Sequence, residues 1–496
     1  MKILLSAFVV AFTMMACSAG KKEATTKPNI IIILADDMGY GDVQALNEQS
    51  KIATPNLNKF ASEALTFTDA HTPSSVCTPT RYGLLTGRYC WRTRLKKGVL
   101  RGYDKPLISD DRPTIASYLK DKGYNTGIIG KWHLGLGFHK DEAKSKKKKR
   151  VYDITKSLYS SPNNNGFDYS YVLPASLDFA PYVYVKNKQV TATEFKQVPH
   201  TNFPELRRKG QTDIDFEFDG VLDHFLGEAK NFIRQQAHKE DPFFLYFPFT
   251  APHTPLLPTK DFKDKSDQGV YGDFIMQVDW TAGEIFKLLD ELDIADNTLV
   301  IFTSDNGSPM IRMDDLQEFD HCHFDSLQYY NANSHQSNHI FSGIKGDVLE
   351  GGHRVPFFVR WPQKISPAIV DKNPICLTDV VSTVADIIGE DLPEGAAEDS
   401  YSFYPILTGK KETIERPAII HHSGKGMFAV RKGDWKLILG NGAGARTEPI
   451  GIPFEEPYQL YNLKKDAQEK INHIETELEI NAEIYSSFEK IMAGSE

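Results

Sequence analysis

Asn29-Ile30-Ile31-Ile32-Ile33-Leu34-Ala35, followed at once by Asp36-Asp37, is the stretch that decides the fold. An apolar, β-branched run with no polar alternation reads as a strand covered on both faces, as in a buried parallel sheet. Three more runs behave alike, and each ends in polar chemistry. Residues 124–129 lead into Gly130-Lys131-Trp132-His133-Leu134-Gly135, residues 243–249 into Ala251-Pro252-His253-Thr254-Pro255, and residues 298–303 into Ser304-Asp305-Asn306-Gly307. Helical patterns over 113–122, 222–238 and 279–292 fall between the strands. This βαβ rhythm predicts an α/β fold with a large, mainly parallel sheet flanked by helices. Ligands of such sheets bind beyond the carboxyl ends of the strands, so the four polar motifs are expected to converge.

The chain has 496 residues, 41% hydrophobic and 25% charged, enough for one large α/β domain and a smaller one. No internal repeat is evident. Its start reads as an export signal: Lys2 is the positive region, residues 3–15 the apolar run and Ala16 the small residue before Cys17. The polar residues after Cys17 resemble a bacterial lipoprotein signal with Cys17 as the lipidation site; an ordinary cleaved signal is the other reading. That run is short for a membrane span, and no other run approaches spanning length, so membrane contact is expected only through the anchor. Removing residues 1–16 takes away one lysine and no acid, moving the formal charge from -9 to -10, a sign unsuited to nucleic acid. The basic run at 144–150 reads as a solvated loop, or as a rim that steers a polyanion. Apart from Cys17 and Cys77, Cys90, Cys322 and Cys376 are an odd number without zinc-like spacing, which argues against a disulfide scaffold.

Cys77-Thr78-Pro79-Thr80-Arg81 continues as Tyr82-Gly83-Leu84-Leu85-Thr86-Gly87-Arg88. Pro79 suits the first helical position and Gly87 the residue past the last turn, so Cys77 lies at the amino end of a short helix. Free N–H groups and the helix dipole there favour an anion, and Arg81 lies one turn along on the same face. Asp36, Asp37, Asp305 and Asn306 offer carboxylate and amide oxygens, a hard donor set suited to Ca²⁺ or Mg²⁺. Helix caps and turn acids are the plain alternative for either pair alone. Asp42 reads as structural.

The C-x-P-x-R pentapeptide with its Leu-Thr-Gly-Arg extension resembles the signature of the type I, formylglycine-dependent sulfatases, closest in character to arylsulfatases and N-acetylhexosamine-6-sulfatases. Motifs of that family span the chain from Asp36 to beyond Lys345. The resemblance implies an alkaline-phosphatase-like fold and sulfuric ester hydrolysis. Cys77 is then oxidised by a sulfatase-maturating enzyme to formylglycine (3-oxoalanine), whose hydrate attacks sulfur to give a covalent sulfoenzyme. It implies one Ca²⁺ per chain on Asp36, Asp37, Asp305, Asn306 and residue 77. Arg81 and Lys131 would hold the nucleophile and the sulfate oxygens, and His133 would be the base that expels sulfate. His253 and Lys345 would contact sulfate and protonate the leaving alcohol.

From about residue 395 the chain changes character. Segments 418–422, 426–431 and 435–439 read as short antiparallel strands and 465–492 as a helix, resembling the small carboxy-terminal α+β subdomain of sulfatases. The expected organisation is a signal over 1–16, a tether over 17–28, a catalytic domain over 29–395 and a subdomain over 396–496. The polar insertion at 308–342, with His321, His323, His335 and His339, is the expected wall of the leaving-group pocket. Ser176-Leu177-Asp178 and Trp91-Arg92-Thr93-Arg94 are further candidates, giving Asp178, Arg92 and His335 as expected substrate contacts. The expected substrate is a sulfated polysaccharide or its oligosaccharides, algal (ulvan, carrageenan) or a glycosaminoglycan, met in the periplasm or at the outer membrane. Two alternatives stand: a phosphonate or phosphodiester hydrolase with the same motif, and a non-catalytic glycan-binding surface lipoprotein.

Overall fold

The computed structural model describes residues 27–145, 151–311, 328–329 and 335–494. Its centre is a ten-stranded sheet. Four strands matter most: β1 (Asn29–Asp36), β2 (Asn125–Lys131), β3 (Phe243–Pro252) and β4 (Thr298–Ser304). They lie in the order β4-β1-β3-β2, all parallel, with Ile31 opposite Leu245 on one side and Val300 on the other. Tyr169–Leu173 extends the parallel set beyond β2, whereas β5 (Phe357–Arg360) runs antiparallel to β4. The sheet is therefore mixed at its flanks and parallel where the polar motifs emerge.

The unalternated sequence of β1 is explained by two cores. Ile30, Ile32 and Leu34 pack on one face and Ile31, Ile33 and Ala35 on the other, all fully buried. Each such isoleucine contributes about 1.5–3 kcal/mol of burial. Helix α1 (Cys77–Thr86) is buried at all ten positions and ends on Gly87 in the left-handed region, φ 63°. Cys77 is its first residue, so Pro79 is third rather than first; its missing N–H still falls in the turn that lacks intrahelical acceptors. Helix α2 (Val221–Gln236) buries Leu222, Phe225, Leu226, Ala229, Phe232 and Ile233, the spacing of one helical face. Helix α3 (Gly269–Glu291) starts ten residues earlier than expected. Tyr271, Phe274, Ile275 and Val278 carry the buried stripe into that first part, where Gly269 and Gly272 hide it from the sequence pattern.

A second, four-stranded antiparallel sheet comprises β6 (Ile419–His422), β7 (Phe428–Lys432), β8 (Trp435–Leu439) and β9 (Gln459–Asn462), in that order. The strand β9 was not anticipated. Helix α4 (Leu478–Ala493) packs Ile484 and Phe488 against Val430 and Leu437. It begins thirteen residues later than the sequence suggests. The Asp466 carboxylate accepts from the N–H groups of Lys470 and Ile471, and the Asn472 side chain from Leu460 and Ile474, holding 466–474 in turns. Phe403, Ile406 and Leu407 pack in the core of the large sheet, so the chain stays with it past residue 395.

A buried polar strut joins the two sheets. Lys436 Nζ of β8 lies 3.1 Å from Glu350 and 2.8 Å from Glu469, and His71 Nε2 lies 2.6 Å from Asp69. His353 and His421 stack at 4.0 Å with 9° between ring planes. No ion can lie in the planes of both stacked rings, so this histidine group is a structural element and not a metal centre.

Candidate active site

The carboxyl ends of β1 to β4 and the amino end of α1 meet at one point. Asp36 ends β1, and Asp37 follows with φ 70°, a left-handed backbone that is uncommon for a non-glycine residue. Lys131 ends β2, and His133 just beyond it is also left-handed, φ 58°. Asp305 and Asn306 follow β4, His253 follows β3, and Cys77 opens α1.

The three carboxylates are each held by a cation. Lys131 Nζ donates to both oxygens of Asp36 at 2.8 and 2.7 Å. Lys345 Nζ donates to Asp37 at 2.7 Å, and Arg81 donates through Nε (2.9 Å) and Nη2 (2.7 Å) to one oxygen of Asp305. The Sγ of Cys77 lies 3.7 Å from Asp36, and His253 Nε2 lies 3.7 Å from Asp37. Three acids and three cations thus face one another in the inner cluster.

Burial opposes charge on Asp36, but Lys131, His253 and Arg81 outweigh it and hold the carboxyl well below its usual range. Asp37 is lowered in the same way, burial being countered chiefly by Lys345 and His253. Asp305 is instead pushed up, by burial first and the Asp36 charge second. These acids are crowded, and a divalent cation would relieve the crowding. The fit is supported by Asn306, fully buried. Its Nδ2 donates to Asp37 and to Gly307 O, while its Oδ1 has no donor among the described residues. An oxygen left open beside three carboxylates is what a hard cation needs.

Burial raises the Cys77 thiol, with Asp305 adding to the effect, so the unmodified side chain stays protonated at neutral pH. The site is not built to make a thiolate nucleophile. His133 is prepared as a base. Its Nε2 lies 2.7 Å from Leu100 O, where it donates, and its buried Nδ1 has no partner among the described residues. Burial, then Lys131 and Arg81, hold this ring well below the ordinary histidine range, so it is neutral and Nδ1 keeps its lone pair.

The cluster opens into a cleft of about 430 Å³ lined by Cys77, His133, Asp178, His253 and Lys345 among others. Asp178, expected at the substrate, is there, paired with Arg208, whose guanidinium lies 4.1 Å from the Phe179 ring centre. Two expected contacts need correction. Arg92 donates to both carboxylate oxygens of Asp399 and to Ile491 O, so its charge ties helix α4 to the large domain outside this cleft. His335 Nε2 lies 2.7 Å from Asp42, its Nδ1 accepts from the Lys51 N–H, and it faces a different cavity. His339 lines that same cavity, so the described part of the insertion does not wall the cleft; Pro309 is its one contribution there. Cys17, His321 and His323 and the basic residues 146–150 lie outside the described residues. Sequence reasoning missed Arg208, Lys425 and Arg446, which also line the cleft. Lone basic residues in loops carry no sequence signal.

Comparison with known proteins gives the same picture. The model of the family described as "Sulfatase" matches residues 28–390. An N-acetylgalactosamine-6-O-sulfatase of Bacteroides thetaiotaomicron is 33% identical over 95% of this chain and 94% of its own length. Human arylsulfatase A is 29% identical over 92% of this chain and 85% of its own. Among solved structures, a B. thetaiotaomicron sulfatase described with the metabolism of multiple glycosaminoglycans aligns with a TM-score of 0.81 and 31% identity, covering 94% of this chain and 99% of that one. The PsFucS1 sulfatase of Pseudoalteromonas sp. aligns with a TM-score of 0.70 and 25% identity, covering 95% and 90%. The Cys77 helix, the acid cluster at the strand ends and these likenesses together identify the chain as a sulfuric ester hydrolase, a member of the sulfatase family.

Proposed function

We propose that this chain removes 6-O-sulfate from an N-acetylated hexosamine in a sulfated polysaccharide or its oligosaccharides, using formylglycine made from Cys77 and one Ca²⁺. The reading of the sugar rests on the 6-O-sulfatase relative matched end to end. The reading of the site rests on one observation: Cys77 sits at a helix amino end facing three cation-paired carboxylates and an unpartnered amide oxygen.

Asp36, Asp37, Asp305 and Asn306 would hold the Ca²⁺. When both groups are present, the hydrated aldehyde supplies an oxygen nucleophile and the metal supplies positive charge at the sulfuryl oxygens. The chain's own residues do the rest. Arg81 is aimed by Asp305 and by its Nη1 bond to Lys131 O at 3.1 Å, and Lys131 is aimed by Asp36, so both cations meet the anion already oriented. The free N–H groups at the start of α1 face the same anion. His253 Nδ1, 2.6 Å from Thr254 O, donates there and leaves Nε2 toward the cleft. Lys345 is kept fully charged by Asp37, which overrides the opposing effect of burial. Together they stabilise charge on the departing sugar oxygen. His133 Nδ1 takes the proton whose removal releases sulfate from residue 77.

A signal over residues 1–16 with lipidation at Cys17 would place the enzyme in the periplasm or on the outer membrane, where its contact with lipid is the anchor alone. A sulfatase-maturating enzyme is the partner the Cys77 chemistry requires. The test is sulfate release by protein co-expressed with that enzyme, from N-acetylgalactosamine 6-sulfate, its 4-sulfate isomer and an aryl phosphodiester. The expected result is at least tenfold preference for the 6-sulfate, abolished by chelation and restored by Ca²⁺. Faster turnover of the phosphodiester supports the phosphohydrolase reading, and binding without turnover supports the glycan-binding one.

A further inference from the structure

The active-site cleft does not end at its rim. Lys425, which lines it, also lines a second groove of about 650 Å³ together with Trp91, Lys96, Lys97 and Phe454. Each volume lies in the range of ~300–1,000 Å³ usual for ligand sites, and the two share a wall residue. The turn that carries Lys97 is pinned to the turn that carries Lys425: Gly98 N–H donates to Gly424 O at 2.9 Å. At Gly426 an added Cβ would lie 3.5 Å from Lys97 Cβ, so the two lysines stand on touching loops. Both turns use left-handed glycines, Gly98 at φ 71° and Gly426 at φ 92°, which fixes the loops in this arrangement.

The acids of the cleft, Asp37 and Asp178, are paired with Lys345 and Arg208, so the unpaired charge along this path is positive. The second groove has no acid in its lining, and its Arg92 is already neutralised by Asp399. Lys97 and Lys425 have no side-chain hydrogen bond or ion pair among the described residues. Arg446, in the cleft beside Gly346 and Lys345, has a buried Nη1 with no acceptor among them. In a chain of net charge -9, unpaired cations lined up from the nucleophile outward are not an average surface. Phe454 is 50% exposed at the groove edge, over a floor that includes buried Trp91 and Phe428. Lysines around an exposed aromatic face suit a sugar ring that carries an anionic substituent.

We propose that the substrate is an anionic oligosaccharide that continues from the sulfated sugar over Lys425 into this second groove, where Lys97 and Phe454 hold the next units. The proposal rests on the sulfatase reading of the cleft and adds the polymer requirement to it. The occupant's charge is a carboxylate or a second sulfate on a sugar beyond the one being hydrolysed.

The test uses the full mature chain and two substrates, an aryl sulfate that fills only the cleft and a sulfated, uronate-containing tetrasaccharide. In Lys97→Glu and in Phe454→Ala, the ratio of kcat/KM for the tetrasaccharide to that for the aryl sulfate is expected to fall at least tenfold, mainly through KM. The wild-type ratio is also expected to fall steeply between 50 and 500 mM salt, less so in Lys97→Glu. Calorimetric binding of the same tetrasaccharide, and of its carboxyl-reduced form, to the Cys77→Ala protein reads the groove without turnover; weaker binding of the reduced form assigns the charge to the uronate, equal binding to a second sulfate. An unchanged ratio in both variants, with tetrasaccharide binding equal to wild type, overturns the proposal. Tetrasaccharide binding that depends on Lys97 in a protein that hydrolyses neither substrate leaves the groove standing and removes the sulfatase mechanism.

Discussion

Replacing His133 by asparagine separates the two halves of the reaction. Asparagine tolerates the left-handed backbone at φ 58°, so the change removes the imidazole without straining the loop after β2. The wild-type ring donates from Nε2 to Leu100 O and leaves Nδ1 unpartnered and neutral, a geometry that can accept a proton but has none to give. Loss of a positioned general base costs about 10²–10⁴ in rate, or about 3–5 kcal/mol of barrier. That loss falls on the release of sulfate from residue 77, while attack on sulfur relies on Arg81, Lys131 and the acid cluster. Rapid mixing with 4-nitrocatechol sulfate should therefore still give a burst of about one catechol per matured site, followed by a steady state 10²–10⁴ slower. Intact mass taken during that phase should show about 80 Da of retained sulfuryl group. Loss of the burst in proportion to kcat, or a kcat within threefold of wild type, would refute the assignment of His133 as the release base.

Three other changes follow from the geometry. Lys345→Ala removes the ammonium beside Asp37; kcat/KM is expected to drop by about 10²–10⁴ for a sugar sulfate and by much less for a nitrocatechol sulfate, whose oxygen needs no acid, and equal losses would contradict that role. Arg92→Leu leaves Asp399 buried without its cation, which should destabilise the fold by about 3–5 kcal/mol in urea titration while KM for an aryl sulfate stays within twofold. A large KM effect would instead restore Arg92 as a substrate contact. Burial lowers His422 to about 4, so between that value and about 6.5 the unfolded chain holds a proton that the folded one lacks. Stability from this group is complete above about 6.5 and is lost as pH falls, by about 1.4 kcal/mol at pH 5.5. His422→Asn should remove that much of the pH dependence between 7.5 and 5.5, and an unchanged slope would show that the ring is charged in the fold.

The parts of the site legible in the sequence are those where a strand forces a polar residue to its end. Asp36, Lys131, His253 and Asp305 each follow an apolar run with no room for a charge inside it, and the parallel sheet then gathers the run ends. Cys77 and Arg81 were legible because a helix start fixes their spacing. Arg208, Lys425 and Arg446 were not: Arg208 lies in a loop of the large domain that folds back onto Asp178, and the other two lie in loops placed by how the small sheet docks. Arg92 and His335 were misread for a related reason. A cation or imidazole beside aromatics looks the same whether it meets a substrate or, as here, a buried carboxylate of Asp399 or Asp42. Helix α4 was overextended because Asp466 and Asn472 satisfy backbone N–H groups that the periodic pattern assigned to a helix.

The account depends most on what Cys77 becomes. Peptide mass spectrometry of that segment, from protein co-expressed with a sulfatase-maturating enzyme and with a known sulfatase as the maturation control, reads it directly. The predicted result is a loss of about 18 Da at residue 77, cysteine to formylglycine, in step with sulfate-releasing activity. An unmodified thiol at residue 77, beside a control that is fully converted, would contradict the account.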